Sequence, residues 1–549
     1  MSATADLRPW WKRRPDRLRW EEAEFAERGF RVQREQRQGH DLVLTTSLSL
    51  SDGRVVPVVV TFPFEYPRAY PHVYVEPGLV GPPHEVNGAL CVLDNPGAQW
   101  NPRRCAAELV HENARKLLED VLLGGPAAVA AGEEQIPDRV SSRYRTDPSH
   151  VIMVPDPFWG EPPAGTRRGW MTLKGADDRR LVDFMTSFGE ADPDLRRRVL
   201  LSEGHSVGRW LAVDDPPQGV QTADTLLPEL LRREPDLLRV PDALGLMRPD
   251  WLAFTYPEQG PGRGQWRRGW TFIELSTKDR SPRTAVRLPQ TQALTPGERQ
   301  LRLPELVGLN SAKVVLLGIG SLGSKVAVEL AKAGAGHLVF FDDDVYDVNN
   351  TVRHELPAWL AGTDKALGMA LWCRQINPFC QAKSHALRLG SGRRVAEKFL
   401  AAIQDADLVI ETTGRRAVTR IAERYCRAAG VPLLNASLTR GSRGGDMVLL
   451  ANEDCFDCFL LAQDGDAIPT PEATEQQLVI PVNCSDPAFS GAGFDASELA
   501  SIVARFAVRA TGRTSYPDLD HNWAVVNFTG AARWRQGTFH PQPECGHHD

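Results

Sequence analysis

No run of about 18 apolar residues occurs anywhere in this 549-residue chain, so no segment reads as a membrane-spanning helix. The first residues, MSATADLRPWWKRRPDR, carry charge where a secretory leader needs an apolar stretch, and a cytoplasmic location is expected. Basic residues do not outnumber acidic ones: 64 Lys and Arg stand against 70 Asp and Glu, a net charge of -6. That balance lacks the footprint of a phosphate-backbone binder, so nucleic acid is not an expected partner. Cysteine is sparse, nine residues in all, and odd in number. That argues against a disulfide framework and for thiols used as nucleophiles, metal ligands or core residues. No internal repeat or low-complexity tract is present. With 42% hydrophobic and 24% charged residues, general disorder is excluded too. At this length about three or four domains are expected.

The texture changes twice along the chain. Residues 1–145 begin with a candidate helix, Asp16–Arg28, followed by the strand-like runs DLVLTTSLSL, RVVPVVVTF and HVYVEP. An amphipathic helix is expected near Ala106–Leu123, and GGPAAVAAGEE then reads as a boundary. Residues 146–295 are rich in Pro, Arg and Trp, with the strand-like pieces GWMTL, LAFTY and GWTFIEL. They carry no interpretable motif and are read as a linker domain of unknown role. From 296 to 549 strands alternate with helices, which predicts a parallel α/β sheet. The fold class is thus multidomain α/β and α+β.

The strongest signal begins at Lys313. A fully apolar strand runs into Gly318-Ile-Gly320-Ser-Leu-Gly323 and a helix, and a second strand, HLVFFDDD, follows. Such a turn lets a phosphate approach the backbone at a helix N-terminus, where free N–H groups and a partial positive charge wait. A dehydrogenase needs little beyond one acid after the second strand. Here the chain continues Asp342-x-Asp344-x5-Asn350-x2-Arg353, then Gly362-x2-Lys365, then Asn377-Pro378. This resembles the ThiF/MoeB/ubiquitin-activating superfamily at every spaced position. The resemblance implies a Rossmann-like adenylation domain that uses ATP and Mg2+ to adenylate the C-terminal carboxylate of a protein. It implies that Arg353 and Lys365 neutralise phosphates, Asn350 positions them, and Asp342 or Asp344 holds the ribose. Arg299 or Arg302 is a candidate for reaching into a partner's site in a homodimer. One departure is Gly414, where the superfamily carries a magnesium-binding Asp. Glu411 or the Asp342–Asp344 cluster is the candidate replacement.

Cys455-x2-Cys458 and Cys545-x2-His548 have zinc-ligand spacing, and the resemblance implies one structural Zn2+ site of these four residues. The alternatives are a redox or buried Cys455/Cys458 pair and a C-terminal tail without ligands. Cys484 stands among small and polar residues before a helix, and the resemblance makes it the acyl-accepting cysteine. Cys373, Cys380 and Cys426 lie in apolar helical patterns and are expected in the core.

In the first region, Tyr66-Pro67 and Tyr70-Pro71 are followed by His84, Asn87, Gly88, Cys91, Leu93-Asp94 and Trp100-x-Pro102. This is similar to the ubiquitin-conjugating fold, an α+β domain, which makes Cys91 the conjugating cysteine. The usual H-P-N element is replaced by His84-Glu-Val-Asn87, so Asn87 or His84 is the candidate oxyanion stabiliser. Together the two resemblances match bacterial conjugating–activating fusions of antiphage operons associated with CD-NTases. The expected partners are a modifier with a C-terminal carboxylate (a CD-NTase or a ubiquitin-like protein), a target lysine and a JAB-type peptidase. The rival readings are ThiF/MoeB-like adenylation feeding sulfur transfer, and a non-catalytic partner-binding scaffold.

Overall fold

The computed structural model describes residues 8–36, 42–80, 84–86, 88–93, 96–124, 140–159, 167–176, 178–187, 205–217, 219, 221–238, 249–260, 266–276, 284–451, 453–474, 480–481, 487–488, 491–517, 520–530, 533–541 and 545. The chain divides into two compact units, Met1–Leu294 and Thr295–Asp549. No helix among the described residues is long and apolar enough to cross a membrane.

The first unit opens with a single helical turn, Trp10–Arg13, and then helix α1 (Pro15–Glu27), started by a proline at its first turn, where the missing N–H costs nothing. An antiparallel meander follows: β1 (Gln33–Gln36), β2 (Leu42–Ser49), β3 (Val55–Phe62) and β4 (His72–Tyr74). The hairpin β5 (Glu85–Val86) and β6 (Ala89–Leu90) extends it, in the order β1-β2-β3-β4-β6-β5. The burial of β3 alternates strictly, one face in and one out, as a half-covered sheet requires. Its inner face packs with Phe25 of α1 and with Val110 and Leu118 of a later helix. That helix runs from Ala106–Glu108 to Arg115–Leu122 through a π turn, Leu109–Ala114, in the place the periodicity predicts.

The second part of this unit is a mixed eight-stranded sheet, where the sequence suggested only scattered strand-like pieces. It comprises β7 (Asp147–Pro155), β8 (Arg168–Ala176), β9 (Arg179–Ser187), β10 (His205–Ala212), β11 (Trp251–Gln259), β12 (Trp266–Leu275), β13 (Ala285–Arg287) and β14 (Pro289–Leu294). The strand order is β13-β12-β11-β10-β8-β9-β7-β14. The first six residues of β11 are all buried because both faces carry a core: Leu252 and Phe254 on one, Trp251 and Ala253 on the other. Helix α2 (Ala223–Arg233) covers one of these faces with Leu226, Leu227 and Leu230.

The second unit is a Rossmann-like sheet. Strands β15 (Lys313–Leu317), β16 (His337–Phe341), β17 (Gln381–His385), β18 (Leu408–Glu411) and β19 (Leu433–Leu438) are parallel, in the order β17-β16-β15-β18-β19. Antiparallel β20 (Gly444–Leu450) extends it, and a short pair, β21 (Ile480–Pro481) and β22 (Pro487–Ala488), forms a separate two-stranded sheet. β23 (Trp523–Asn527) and the edge strand β24 (Arg533–Gly537) complete the main sheet beyond β20. Alternate residues of β15 point to opposite faces: Val314 and Leu316 meet α3 (Ser321–Ala333), α4 (Lys365–Ile376) and α8 (Gly493–Ala510). Val315 and Leu317 meet α5 (Arg393–Ile403), α6 (Arg416–Ala429) and α7 (Phe456–Asp464). The order reverses between β15 and β18, which opens the crevice where open α/β sheets bind ligands.

Candidate active site

The glycine turn sits at that crevice. Gly318 has φ +83°, and a Cβ there would lie 2.8 Å from the Thr413 backbone nitrogen. Gly323 is closer still, since its Cβ would meet the Gly318 carbonyl at 2.0 Å; only glycine lets α3 start against the turn. Gly320, by contrast, faces open space, with nothing within 4 Å. Thr412, at the end of β18, donates its hydroxyl to the Gly318 carbonyl (2.7 Å) and braces the turn from the neighbouring strand.

The acidic residues after β16 hold this turn as well. Asp342 accepts the Ile319 N–H at 2.5 Å and the Asp344 N–H at 2.9 Å, one on each carboxylate oxygen. Burial pushes its carboxyl above the usual range, opposed by these backbone donors and by the Lys365 charge. Residues 344–346 pair with 362–365 through an isolated bridge, Val345 to Asp364, and the Tyr346 N–H donates to the Thr363 carbonyl (2.8 Å). That pairing delivers Lys365 to Asp344, with Nζ 2.9 Å from the carboxylate. Asp343 pairs with Arg388 (2.9 Å). One oxygen from each of Asp342, Asp343 and Asp344 lies within 4.8 Å of the others, an arrangement open to a hard divalent cation.

Asn350 lies in the short helical turn Val348–Val352, capped by Asp347, which accepts the Asn349 N–H at 2.7 Å. The next residue, Arg353, is half-buried, and burial lowers its pKa. Its carbonyl accepts the Ser321 hydroxyl (3.2 Å), which joins this segment to the first turn of α3. Gly318, Gly320, Gly323, Asp342, Asp344, Asn350, Arg353 and Lys365 therefore belong to one neighbourhood built from three consecutive loops. The sequence reading missed His354, which ties two of those loops together, and the ion pair Lys325–Glu355 (2.6 Å) beneath them. All three residues lie within two positions of Gly323 or Arg353, and that proximity was the available signal.

Two expectations are corrected. Glu411 is not placed to hold magnesium. It lies on the same face of β18 as Val409, is fully buried, and accepts from the Thr413 N–H (2.7 Å), the Thr413 hydroxyl, the Thr419 hydroxyl (2.7 Å) and Asn435 Nδ2 (2.6 Å). Those contacts saturate both oxygens in the loop structure. Arg299 is not a hand extended to another copy either. Its guanidinium donates to the Ile376 carbonyl (2.8 Å) and to Ala331 and Lys332 (both 3.4 Å), neutralising the C-terminal ends of α4 and α3. Gly414 has φ +67° with open space beside it.

Cys455, Cys458 and Cys545 are all buried, with their sulfurs within 4.8 Å of one another. Cys455 caps α7 by accepting the Cys458 N–H (3.3 Å), and its sulfur lies 3.5 Å from that of Cys545. Burial raises the Cys455 thiol to about 12. No disulfide joins the described cysteines, and Cys373, Cys380 and Cys426 are buried. Cys484, Asn87 and His548 lie outside the described residues.

In the first unit Cys91 is exposed and follows β6, its N–H donating to the His84 carbonyl (2.9 Å) across the hairpin. Gly88 turns that hairpin at φ +86°, and a Cβ would lie 2.7 Å from the Val75 carbonyl. Buried Glu85 organises it by accepting from Gly78 (2.8 Å), Gly88 (2.9 Å) and Val80 (3.0 Å). His84 Nε2 is buried and has no hydrogen-bond partner among the described residues. Trp100 donates its indole N–H to the Pro67 carbonyl (2.8 Å), linking the two proline-marked segments.

Residues 298–511 match the ThiF family. The second unit contains a ThiF-type domain. Beyond it, the chain is similar to the uncharacterized proteins y4oA and y4qC of Sinorhizobium fredii. Both are 25% identical, the first over 83% of this chain and 83% of its own, the second over 91% and 90%. The ThiF-type domain is also similar to the adenylyltransferase and sulfurtransferase MOCS3 of Sus scrofa, 30% identical over 36% of this chain and 42% of that protein. Among solved structures, E. coli MccB with ATP covers 44% of this chain and 68% of its own at 17% identity, with a TM-score of 0.34. The ThiF-type domain has the Rossmann-like sheet that its glycine motif predicted.

Proposed function

We propose that this protein activates the C-terminal carboxylate of another protein with ATP and passes the acyl group through two of its own cysteines. In the first step a carboxylate oxygen attacks the α-phosphorus, the bond to the bridging oxygen breaks, and pyrophosphate leaves with that electron pair. Two anions must meet, so cations are needed. Arg353 and Lys365 supply them, the N–H groups at the start of α3 receive phosphate oxygens, and Asn350 positions them. Asp342, Asp343 and Asp344 would hold Mg2+, which would supply further charge neutralisation. The Cys484 thiol then takes the acyl group with AMP as leaving group and its proton released. Thioester exchange moves it to Cys91, and a lysine amine of a target accepts it, with Asn87 or His84 steadying the oxyanion. Cys455, Cys458 and Cys545, with His548 as the fourth ligand, would hold a structural zinc, for which the three buried clustered sulfurs are a suitable donor set.

The observation that carries the reading is the open space before Gly320, at a helix N-terminus with Arg353 on an adjoining loop. The ThiF match and the adenylyltransferase named among the relatives support the first step. Exposed Cys91 on an organised hairpin supports the last. The proposal includes a homodimer and a CD-NTase or ubiquitin-like modifier in antiphage defence. ATP–pyrophosphate exchange tests the first step. A non-reducing gel with ATP and the modifier tests the relay; no reducible adduct at Cys484 or Cys91 overturns it. Sulfur transfer is the second reading, favoured by the paired activities in the name MOCS3. A Cys91→Ser variant separates the two, because conjugation stops and sulfur transfer does not.

A further inference from the structure

Ile319 stands between two glycines of the phosphate-facing turn, and neither neighbour has a side chain to hold the backbone in place. Its N–H is fixed by Asp342 (2.5 Å), and its carbonyl lies 2.8 Å from Nε2 of His354. His354 is buried, and its Nδ1 accepts the Leu356 N–H at 3.1 Å. An acceptor at Nδ1 puts the ring proton on Nε2, so the imidazole donates to Ile319. The Tyr346 ring lies 5.0 Å from the imidazole ring, and its hydroxyl donates to the Leu356 carbonyl. Meanwhile the His354 backbone N–H donates to the Asn350 carbonyl (2.8 Å), and His354 directly follows Arg353.

We infer that His354 is a positioning residue that holds the glycine turn and Arg353 in a single register, so that the loop N–H groups and the guanidinium meet the same nucleotide phosphates. The inference rests on the adenylation reading for its nucleotide. The peptide of Ile319 is pinned at both ends, by Asp342 from the β16 side and by His354 from the Arg353 side. The Thr412 hydroxyl braces the Gly318 carbonyl and Asp342 holds the Ile319 N–H, but without the second pin the Ile319 carbonyl loses its hydrogen bond and the turn is freer to rotate toward Gly320. Burial keeps the imidazole neutral by lowering its pKa to about 4, which preserves one donor and one acceptor on the ring. A protonated ring would carry two donors and face the Leu356 N–H donor to donor.

Two isosteric variants of the full-length protein test this. In His354→Asn the side-chain oxygen still reaches the Leu356 N–H, but no donor reaches Ile319. In His354→Gln the amide nitrogen lies near the Nε2 position and restores that donor. Amide hydrogen exchange over 318–321 is measured without ligand, and ATP affinity by calorimetry. The Asn variant is expected to exchange about tenfold faster there and to bind ATP about tenfold more weakly, while the Gln variant stays within about threefold of the parent. The melting temperature of each variant shows that both fold. Asn and Gln variants that behave alike in both measurements overturn the inference. A parent protein that binds no ATP, with exchange still separating the variants, overturns the adenylation reading and leaves the clamp on the loop standing.

Discussion

Lys365 is tied to Asp344 twice: its ammonium lies 2.9 Å from the Asp344 carboxylate, and its backbone N–H donates to the Asp344 carbonyl at 2.9 Å. The residues are 21 apart in sequence, and the pairing of 344–346 with 362–365 joins them. A charge held this way is preorganised at the edge of the glycine turn and costs little reorganisation when an anion arrives. Lys365→Met is expected to lower ATP–pyrophosphate exchange by at least about a hundredfold with the melting temperature nearly unchanged. An exchange rate within threefold of the parent would show that the ammonium does not face the phosphates.

Gly320 and Gly323 make opposite predictions although they belong to one motif. A methyl at Gly323 collides with the Gly318 carbonyl, so Gly323→Ala is expected to cost about 2–4 kcal/mol of stability in chemical denaturation. A methyl at Gly320 meets nothing, so Gly320→Ala is expected to fold normally. It projects where a phosphate would sit, however, and calorimetry should show ATP binding at least about tenfold weaker.

The cluster of Cys455, Cys458 and Cys545 joins the start of α7 to the last described residue of the chain. One zinc per chain is expected by atomic emission on the purified protein. Chelation, or Cys455→Ser, should lower the melting temperature on the order of 10 °C, because each kcal/mol moves a unit of this size by about 2–4 °C. Pyrophosphate exchange at low temperature should survive, since the cluster lies on the opposite face of the sheet from α3. Protein that purifies without zinc and melts at the same temperature as Cys455→Ser would refute the metal site.

His354 also predicts a stability slope. Its pKa is near 4 in the folded protein, against 6.5 for an ordinary histidine. Between those values the unfolded chain binds the proton and the folded chain does not, so acidification favours unfolding. Stability is expected to fall as pH drops from 6.5 to 4, by up to about 3 kcal/mol from this residue. His354→Gln should remove that share, which denaturation of both proteins at pH 6.5 and pH 4.5 would detect as a shallower slope.

Much of the second unit was legible because its signals are local. The glycines specify a turn between one strand and the next helix, and Asp342 through Lys365 lies within a single stretch of chain. α1 and the helix beginning at Ala106 were legible for the same reason, through their periodicity. The central sheet was legible only as the strand-like pieces GWMTL, LAFTY and GWTFIEL: β11 is buried on both faces, so its apolar run shows no alternation to say which face is covered or which strands lie beside it. Arg299, offered with Arg302 as a candidate for reaching another copy, could not be placed from sequence, since the carbonyls it caps lie 32 and 77 residues later.

The sequence by itself determined the glycine turn, the acids and cations that follow it, and the thiols available for chemistry, because residue type and short spacing suffice for these. Tertiary structure decided which of those groups meet. It buried Glu411 among four donors and removed it from metal binding, brought Cys545 to Cys455 across 90 residues, and set His354 against Ile319. Each of those contacts depends on where the sheet places distant strand ends, and no pattern within one segment carries that information.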